Sequence, residues 1–465
     1  MNLLIVLGAL VFLMFVAYRG YSVILFAPVA ALGAVLLTDP HLVAPIFTGL
    51  FMDKMVGFLK LYFPVFLLGA VFGKVIELSG FSKSIVSAVV RLAGREHAIL
   101  SIVAVCALLT YGGVSLFVVV FAVYPFAAEL FRQSELPKRL IPATIALGAF
   151  TFTMDALPGT PQIQNIIPIP FFKTNAYAAP WLGSLGAIFI LIVGLTYLYR
   201  QCRKAVAAGE GYGANSLQEP EPFASDRLAN PWIALLPLVL VGVLNKVFTN
   251  LIPQLYGETH SFLPSVVGKA APVTQEISKV AAIWAVEGAL LGGILTVLIC
   301  AWKPVHEKFA EGSKSAISGA LLASMNTASE YGFGAVIAAL PGFLVVANAL
   351  KSVPYPLVNE AITVTSLAGI TGSASGGLGI ALAAMGDTFA QNAHAAGIPL
   401  EVVHRIAAMA SGGMDTLPHN GAVITLLTVT GLTHRQAYGD IFVITCLKTL
   451  AVLVVIVTYH LTGLV

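Results

Sequence analysis

Two stretches of this chain carry side chains that could do chemistry inside otherwise apolar sequence. The first is Met154-Asp155-Ala156-Leu157-Pro158-Gly159-Thr160-Pro161-Gln162-Ile163-Gln164-Asn165. The second is Met414-Asp415-Thr416-Leu417-Pro418-His419-Asn420-Gly421. Each places an acid just ahead of a proline and ends in amides. Proline removes a backbone donor and glycine loosens a helix, so both stretches should be locally unwound. A carboxyl group at membrane depth favours its neutral form, which makes Asp155 and Asp415 candidate proton carriers. The competing role is capping of a broken helix end through backbone N–H groups, and the two roles are compatible. His419 has Gly159 as its first-half counterpart. An imidazole titrates near neutral pH, so His419 is a third candidate for proton coupling or a direct hydrogen bond to a ligand.

The surroundings are a membrane protein. Of 465 residues, 58% are hydrophobic and 10% charged, against about 25% charged in soluble domains. The apolar runs are long and unbroken, which argues against the short alternating strands of a β-barrel. A net charge of +3 gives no reason to expect a nucleic-acid or acidic partner. The cysteines (Cys106, Cys202, Cys300, Cys446) are scattered and read as small buried hydrophobes, with no disulfide frame and no metal site. No basic residue precedes the first apolar run, so Leu3 to Ala17 reads as a retained span. The aromatic residues read mainly as lipid-facing or interfacial.

In chain order, spans are expected at 2–18 and 22–38, an interfacial stretch at 40–60, a span at 61–78 and a surface helix at 82–96. A re-entrant hairpin follows at 98–131 with a glycine-rich tip, then a broken segment at 139–172 and a span at 181–199. Residues 200–230 read as a solvated linker. The plan then repeats, with spans at 231–249, 281–301 and 321–340, a hairpin at 361–390, a broken segment at 401–431 and a last span at 440–458. Residues 250–280 have no first-half counterpart. Landmarks recur at a near-constant offset: Phe72 and Phe333 and the hairpin tips Thr110 and Thr371 lie 261 residues apart, Asp155 and Asp415 260 apart.

Residues 1–199 and 231–465 are therefore predicted to form two repeats joined by a cytoplasmic linker. Each repeat has five full spans, about ten in all, plus a hairpin that returns to its own side. Five is odd, so the second repeat is inverted. Charge agrees with both termini outside: Arg19, Lys83, Arg91, Arg95, Arg132, Lys138, Arg139, Arg200, Arg203 and Lys204 fall on inner loops, and only Lys54, Lys60 and Lys173 on outer ones. In the second half Lys303, Lys308, Lys314 and Arg435 fall inside, whereas Lys269, Lys279, Lys351 and Arg405 fall outside.

Paired breaks meeting paired hairpin tips point to a transport site near the midplane. The candidate binding residues are Thr110, Gly112, Gly113, Ser115, Thr160, Gln162, Asn165, Thr371, Ser373, Ser375, Gly376, His419 and Asn420. Hydroxyls, amides and free helix N-termini suit a small hydroxylated anion. No Arg or Lys is expected in the cluster. Glu77, Glu287, Glu330, Asp387 and Lys448 are read as interfacial or capping groups.

The motifs Tyr111-Gly112-Gly113-Val114-Ser115, Asp155-Ala156-Leu157-Pro158-Gly159-Thr160, Gly372-Ser373-Ala374-Ser375-Gly376-Gly377 and Gly412-Gly413-Met414-Asp415-Thr416-Leu417-Pro418-His419-Asn420-Gly421 resemble those of the gluconate permease (GntP) family, within the ion transporter superfamily. The resemblance implies a secondary transporter, not an enzyme, of the bacterial inner membrane. It implies proton symport of a small hydroxy-acid monocarboxylate, of 3-hydroxybutyrate or gluconate type, with no cofactor. It also implies a homodimer with a scaffold and a mobile transport domain that moves as an elevator. The alternatives are a sodium-coupled or metal–citrate carboxylate carrier and, remotely, an intramembrane aspartyl protease built on the two Asp residues.

Overall fold

The computed structural model describes residues 2–19, 21–93, 97–114, 116–213, 228–262, 273–343, 345, 355–418 and 420–465. Its secondary structure is almost entirely helical. Among the described residues, five helices are long and apolar enough to cross a bilayer unaided: Pro40–Leu78, Pro180–Ala207, Pro231–Tyr256, Ala281–Cys300 and His434–Thr462. The helices at Asn2–Tyr18 and Val23–Thr38 have 17 and 16 residues, slightly under the usual span length. Trp302–Ala339 is long, at 38 residues, but its first half is rich in charged side chains.

Helix boundaries follow local chemistry. Pro180, Pro231 and Pro356 each occupy the first turn, where the missing N–H leaves nothing unpaired. The Asn230 side chain accepts from Trp232 N at 3.0 Å. Thr433 and Gln436 form a capping box that starts the final helix.

Three expectations change. Residues 40–60 and 61–78 are one continuous helical run, with a π-helical turn at Ile46–Phe51. An interfacial segment followed by a separate span does not describe it. The unmatched piece 250–280 extends the preceding helix to Tyr256 and then forms an antiparallel ribbon, Thr259–Phe262 paired with Val273–Glu276. The connection 263–272 lies outside the described residues, as does 214–227 of the linker. Cys300 is exposed, while Cys106 and Cys202 are buried.

Both hairpins are present as helix pairs. Ala98–Tyr111 turns into Leu116–Gln133, and Pro356–Thr371 into Ala374–Ala395. The second corner is sharp because Gly372 takes a left-handed conformation (φ 64°) and Ser373 caps the next helix, accepting from Gly376 N at 3.0 Å. The first broken segment consists of Ile141–Ala149, Phe152–Asp155, Ile163–Ile166 and Ile169–Phe172. The second consists of Leu400–Ser411 and Gly421–Thr430, separated by residues 412–420. The long helices 40–78 and 302–339 pack along each other, and 302–339 also packs against 374–395. One apolar core runs through all these elements.

Candidate transport site

Unwinding a helix frees backbone groups that must find partners away from water. In the first break, side chains supply them. Thr153 Oγ1 donates to Gly148 O at 2.8 Å and Thr160 Oγ1 to Thr153 O at 2.7 Å. Asn165 Nδ2 donates to Thr160 O at 2.9 Å and to Ala176 O at 2.8 Å. In the second break, Asn420 Oδ1 accepts from Val423 N at 2.9 Å, and Tyr438 Oη donates to Thr416 O at 3.2 Å.

Each break also clasps its own hairpin. Gln162 Nε2 donates to Thr110 O at 2.7 Å and to Val114 O at 3.3 Å, across the first tip. Asn420 Nδ2 donates to Gly372 O at 2.7 Å, across the second. An amide does the same task in each break.

The two acids meet as well, around a lysine. Lys448, from the final helix, bonds Asp415 Oδ1 at 2.6 Å, with side-chain exposures of 3% and 5%. The Asp155 carboxylate and the Lys448 stem both lie against Gly412, the former so closely that a Cβ there would overlap Asp155 Oδ2. Asp155 Oδ2 has no hydrogen-bond partner among the described residues. It feels the charges of Lys448, Asp415 and Arg405.

Arg405 is completely buried. Its guanidinium donates to Asp155 O at 2.7 Å, to Asn165 Oδ1 at 3.0 Å and twice to Ala178 O, at 3.1 and 2.8 Å. It therefore fastens the second half's broken helix to the unwound backbone of the first. His404 stands beside it, with Nε2 3.4 Å from Asn165 Oδ1. Two acids, a lysine and an arginine thus gather in one buried cluster, the kind of setting in which opposite charges offset one another's loss of water.

A curated relative, YxjC of Bacillus subtilis (strain 168), named an uncharacterized transporter, is 58% identical over 474 residues, covering all of both chains. This chain belongs to the YxjC transporter family. It is a multi-pass membrane transporter and not an enzyme. A scan against protein-family models gives no match. Among solved structures, the Alcanivorax borkumensis YdaH transporter superposes with a TM-score of 0.53 at 14% identity, over 92% of this chain and 90% of that one. MtrF of Neisseria gonorrhoeae reaches 0.49 at 15% identity, over 91% and 85%. The YdaH likeness is one of fold.

In this transporter the candidate binding side chains are unevenly available. Thr160 and Asn165 are fully buried, with their donors committed to backbone carbonyls. Thr371 Oγ1 donates to Leu367 O at 3.0 Å, and Ser373 is a helix cap. Ser375 Oγ lies 3.2 Å from Thr327 Oγ1, and Gly376 abuts Glu330. Thr110 Oγ1 is buried with no partner among the described residues. Gly112 ends its helix under the Leu238 side chain, and Gly113 follows at φ 97°. Ser115 and His419 lie outside the described residues.

Three readings from sequence are corrected. Arg405 is no outer-loop residue, and Lys448 is no interfacial one; both stand inside the cluster, where no cation was expected. Glu330 is 2% exposed and lies away from any span end. A group of aromatics faces inward. Phe58, Tyr62, Phe171 and Tyr331 line a vestibule of about 550 Å³ between 40–78, 169–172 and 302–339, with Asp53 and Lys54 also in its wall. The π-turn residues Gly49 and Leu50 line it too. One signal for Lys448 was legible: a lone lysine in the middle of an apolar run needs an acid. Arg405 gave no such signal, because its neighbours Glu401 and His404 make the stretch look like a surface helix.

Proposed function

We propose that this transporter imports a small hydroxy-acid monocarboxylate, of 3-hydroxybutyrate or gluconate type, by proton symport with elevator-like alternating access. The observation that carries the reading is the buried Asp415–Lys448 pair beside the unpartnered carboxyl of Asp155. Protonation of Asp415 removes the charge that holds Lys448. The ammonium then needs another anion, and a substrate carboxylate supplies it. Loss of the proton restores the ion pair and displaces the substrate. Proton and anion thus bind together and leave together, and the buried charge stays balanced throughout. Asp155 is the second proton acceptor in the same cluster.

Both pair members are buried, so substrate reaches them only when a hairpin tip parts from its break. The Gln162 and Asn420 clasps are the bonds that such a gate would break. The motif resemblance to the gluconate permease family supports the substrate class and the homodimer. The recurring element order supports an inverted repeat divided at the 200–230 linker. The inner-loop charge excess supports both termini outside the inner membrane.

The test is uptake of labelled D-3-hydroxybutyrate and of gluconate into proteoliposomes, with an inward proton gradient, with and without sodium. Accumulation that needs the proton gradient and ignores sodium supports the reading. Uptake driven by sodium alone replaces it with the sodium-coupled carrier. Uptake of neither acid refutes the substrate class.

A further inference from the structure

A second buried acid lies outside the Asp155–Asp415 cluster. Glu330 sits on the helix 302–339, 2% exposed, with Oε2 lacking any hydrogen-bond partner among the described residues. Its carboxyl fills the space where a side chain at Gly376 would stand, in the first turn of the helix that follows the second hairpin tip. One contact on each side holds the two helices together. Thr327 Oγ1 meets Ser375 Oγ at 3.2 Å, and a Cβ at Gly334 would come within 2.7 Å of Ile380 Cα. Glu330 is thus the packing element between a long helix and the tip end of a hairpin.

No charged side chain among the described residues acts on Glu330. On the helix 40–78, Lys74 is paired with Glu77 at 3.0 Å, and Asp53 and Lys54 line the vestibule. On 374–395, Asp387 is exposed and acts on Tyr331 instead. On 281–300 the acidic group is Glu287, with burial alone acting on it, and 23–38 carries no charge. An ionised carboxylate in that setting, with no counter-ion, is strongly disfavoured, so the packed arrangement selects the neutral acid. The next residue, Tyr331, lines the vestibule.

We propose that Glu330 is a proton-binding site that latches the second hairpin: protonated, it packs against Gly376 and closes the tip; ionised, it is expelled and the tip opens. The proposal rests on the hairpin-gated reading above. The sign follows from linkage: the closed state binds the extra proton, so it is favoured at low pH and lost as pH rises.

The test uses a single reporter cysteine, Ala374→Cys, in protein whose four native cysteines are replaced. Ala374 is 6% exposed at the tip, so its alkylation reports opening. The rate is measured without substrate in the Glu330 and the Glu330→Gln backgrounds, and their ratio removes the thiol's own pH dependence. The ratio should rise from near one at about pH 5.5 to roughly tenfold at about pH 8.5. A ratio that stays flat overturns the proposal. Gly376→Ala, which excludes the carboxyl from its seat, should leave the tip open at every pH. A pH-dependent tip in that variant overturns the proposal as well, and covers the case in which Glu330→Gln fails to fold. A wrong substrate class leaves these ratios untouched, whereas a flat ratio beside proton-driven uptake removes Glu330 alone.

Discussion

Removing the charge of Lys448 should damage the protein more than removing that of Asp415, because the cluster is asymmetric. Lys448→Met leaves two carboxylates within electrostatic range of each other, one of them already without a hydrogen-bond partner. Stripping one partner from a buried ion pair is destabilising by about 3–5 kcal/mol. Asp415→Asn leaves Lys448 without its ion-pair partner but still within the field of Asp155, so the loss should be only about 1–2 kcal/mol. The double variant Asp415→Asn/Lys448→Met keeps Asp155 as its lone acid, which can stay neutral, and should recover most of the loss. With an unfolding entropy that grows with chain length, 465 residues give roughly 1 °C of Tm per kcal/mol. The expected shifts are therefore about 3–5 °C for Lys448→Met and about 1–2 °C for Asp415→Asn. The assay is thermal unfolding in detergent at fixed scan rate, read as a double-mutant cycle. A coupling below about 0.5 kcal/mol, or a Lys448→Met variant as stable as the parent, would refute the reasoning. Proton-driven uptake should be lost in all three variants, since none retains both a titrating acid at 415 and the cation it releases.

Further predictions concern the groups that hold the site together. Arg405→Lys supplies one ammonium in place of a guanidinium that bonds three acceptors, and should destabilise by about 3 kcal/mol or more; a drop in monodisperse yield on size exclusion checks this, and wild-type behaviour would remove Arg405 as the fastener of the two halves. Gln162→Ala and Asn420→Ala should each loosen only their own hairpin tip, by about 1 kcal/mol. Hydrogen exchange should accelerate at 108–114 for the first and at 369–376 for the second, and equal acceleration at both tips would defeat the idea of separate clasps. Gly412→Ala places a methyl group against the Asp155 carboxyl and should cost about 1–3 kcal/mol together with uptake; full uptake would mean that the position of Asp155 does not matter.

The membrane class, the two hairpins, the two breaks and their common offset were all legible in the sequence. These features are local. Composition records the solvent, and Pro, Gly and an acid inside an apolar run mark places where a helix cannot continue. Asp155 and Asp415 could be picked out because a charge in such a run has few structural excuses. The joining of 40–60 to 61–78 was not legible, because Lys54, Lys60 and Asp53 break the apolar pattern without breaking the helix. The hydroxyl and amide side chains near the tips were visible as a group, but not their assignments: Asn165 and Thr160 hold backbone, and Gln162 and Asn420 clasp tips.

Only the tertiary structure decided which charges balance which. Lys448 and Asp415 are 33 residues apart in the chain, and Arg405 bonds the Asp155 carbonyl across 250. Nothing in the local pattern of Arg405 separates it from a surface arginine; what differs is that three acceptors from the other half, two backbone carbonyls and the Asn165 amide oxygen, surround it. Glu330 is the same case, since its meaning comes from Gly376 on another helix. Local sequence sets where the backbone breaks and which polar atoms are set loose. Which partners satisfy them depends on elements brought together from far along the chain, because a buried polar group is stabilised by whatever lies within a few ångströms and not by its sequence neighbours.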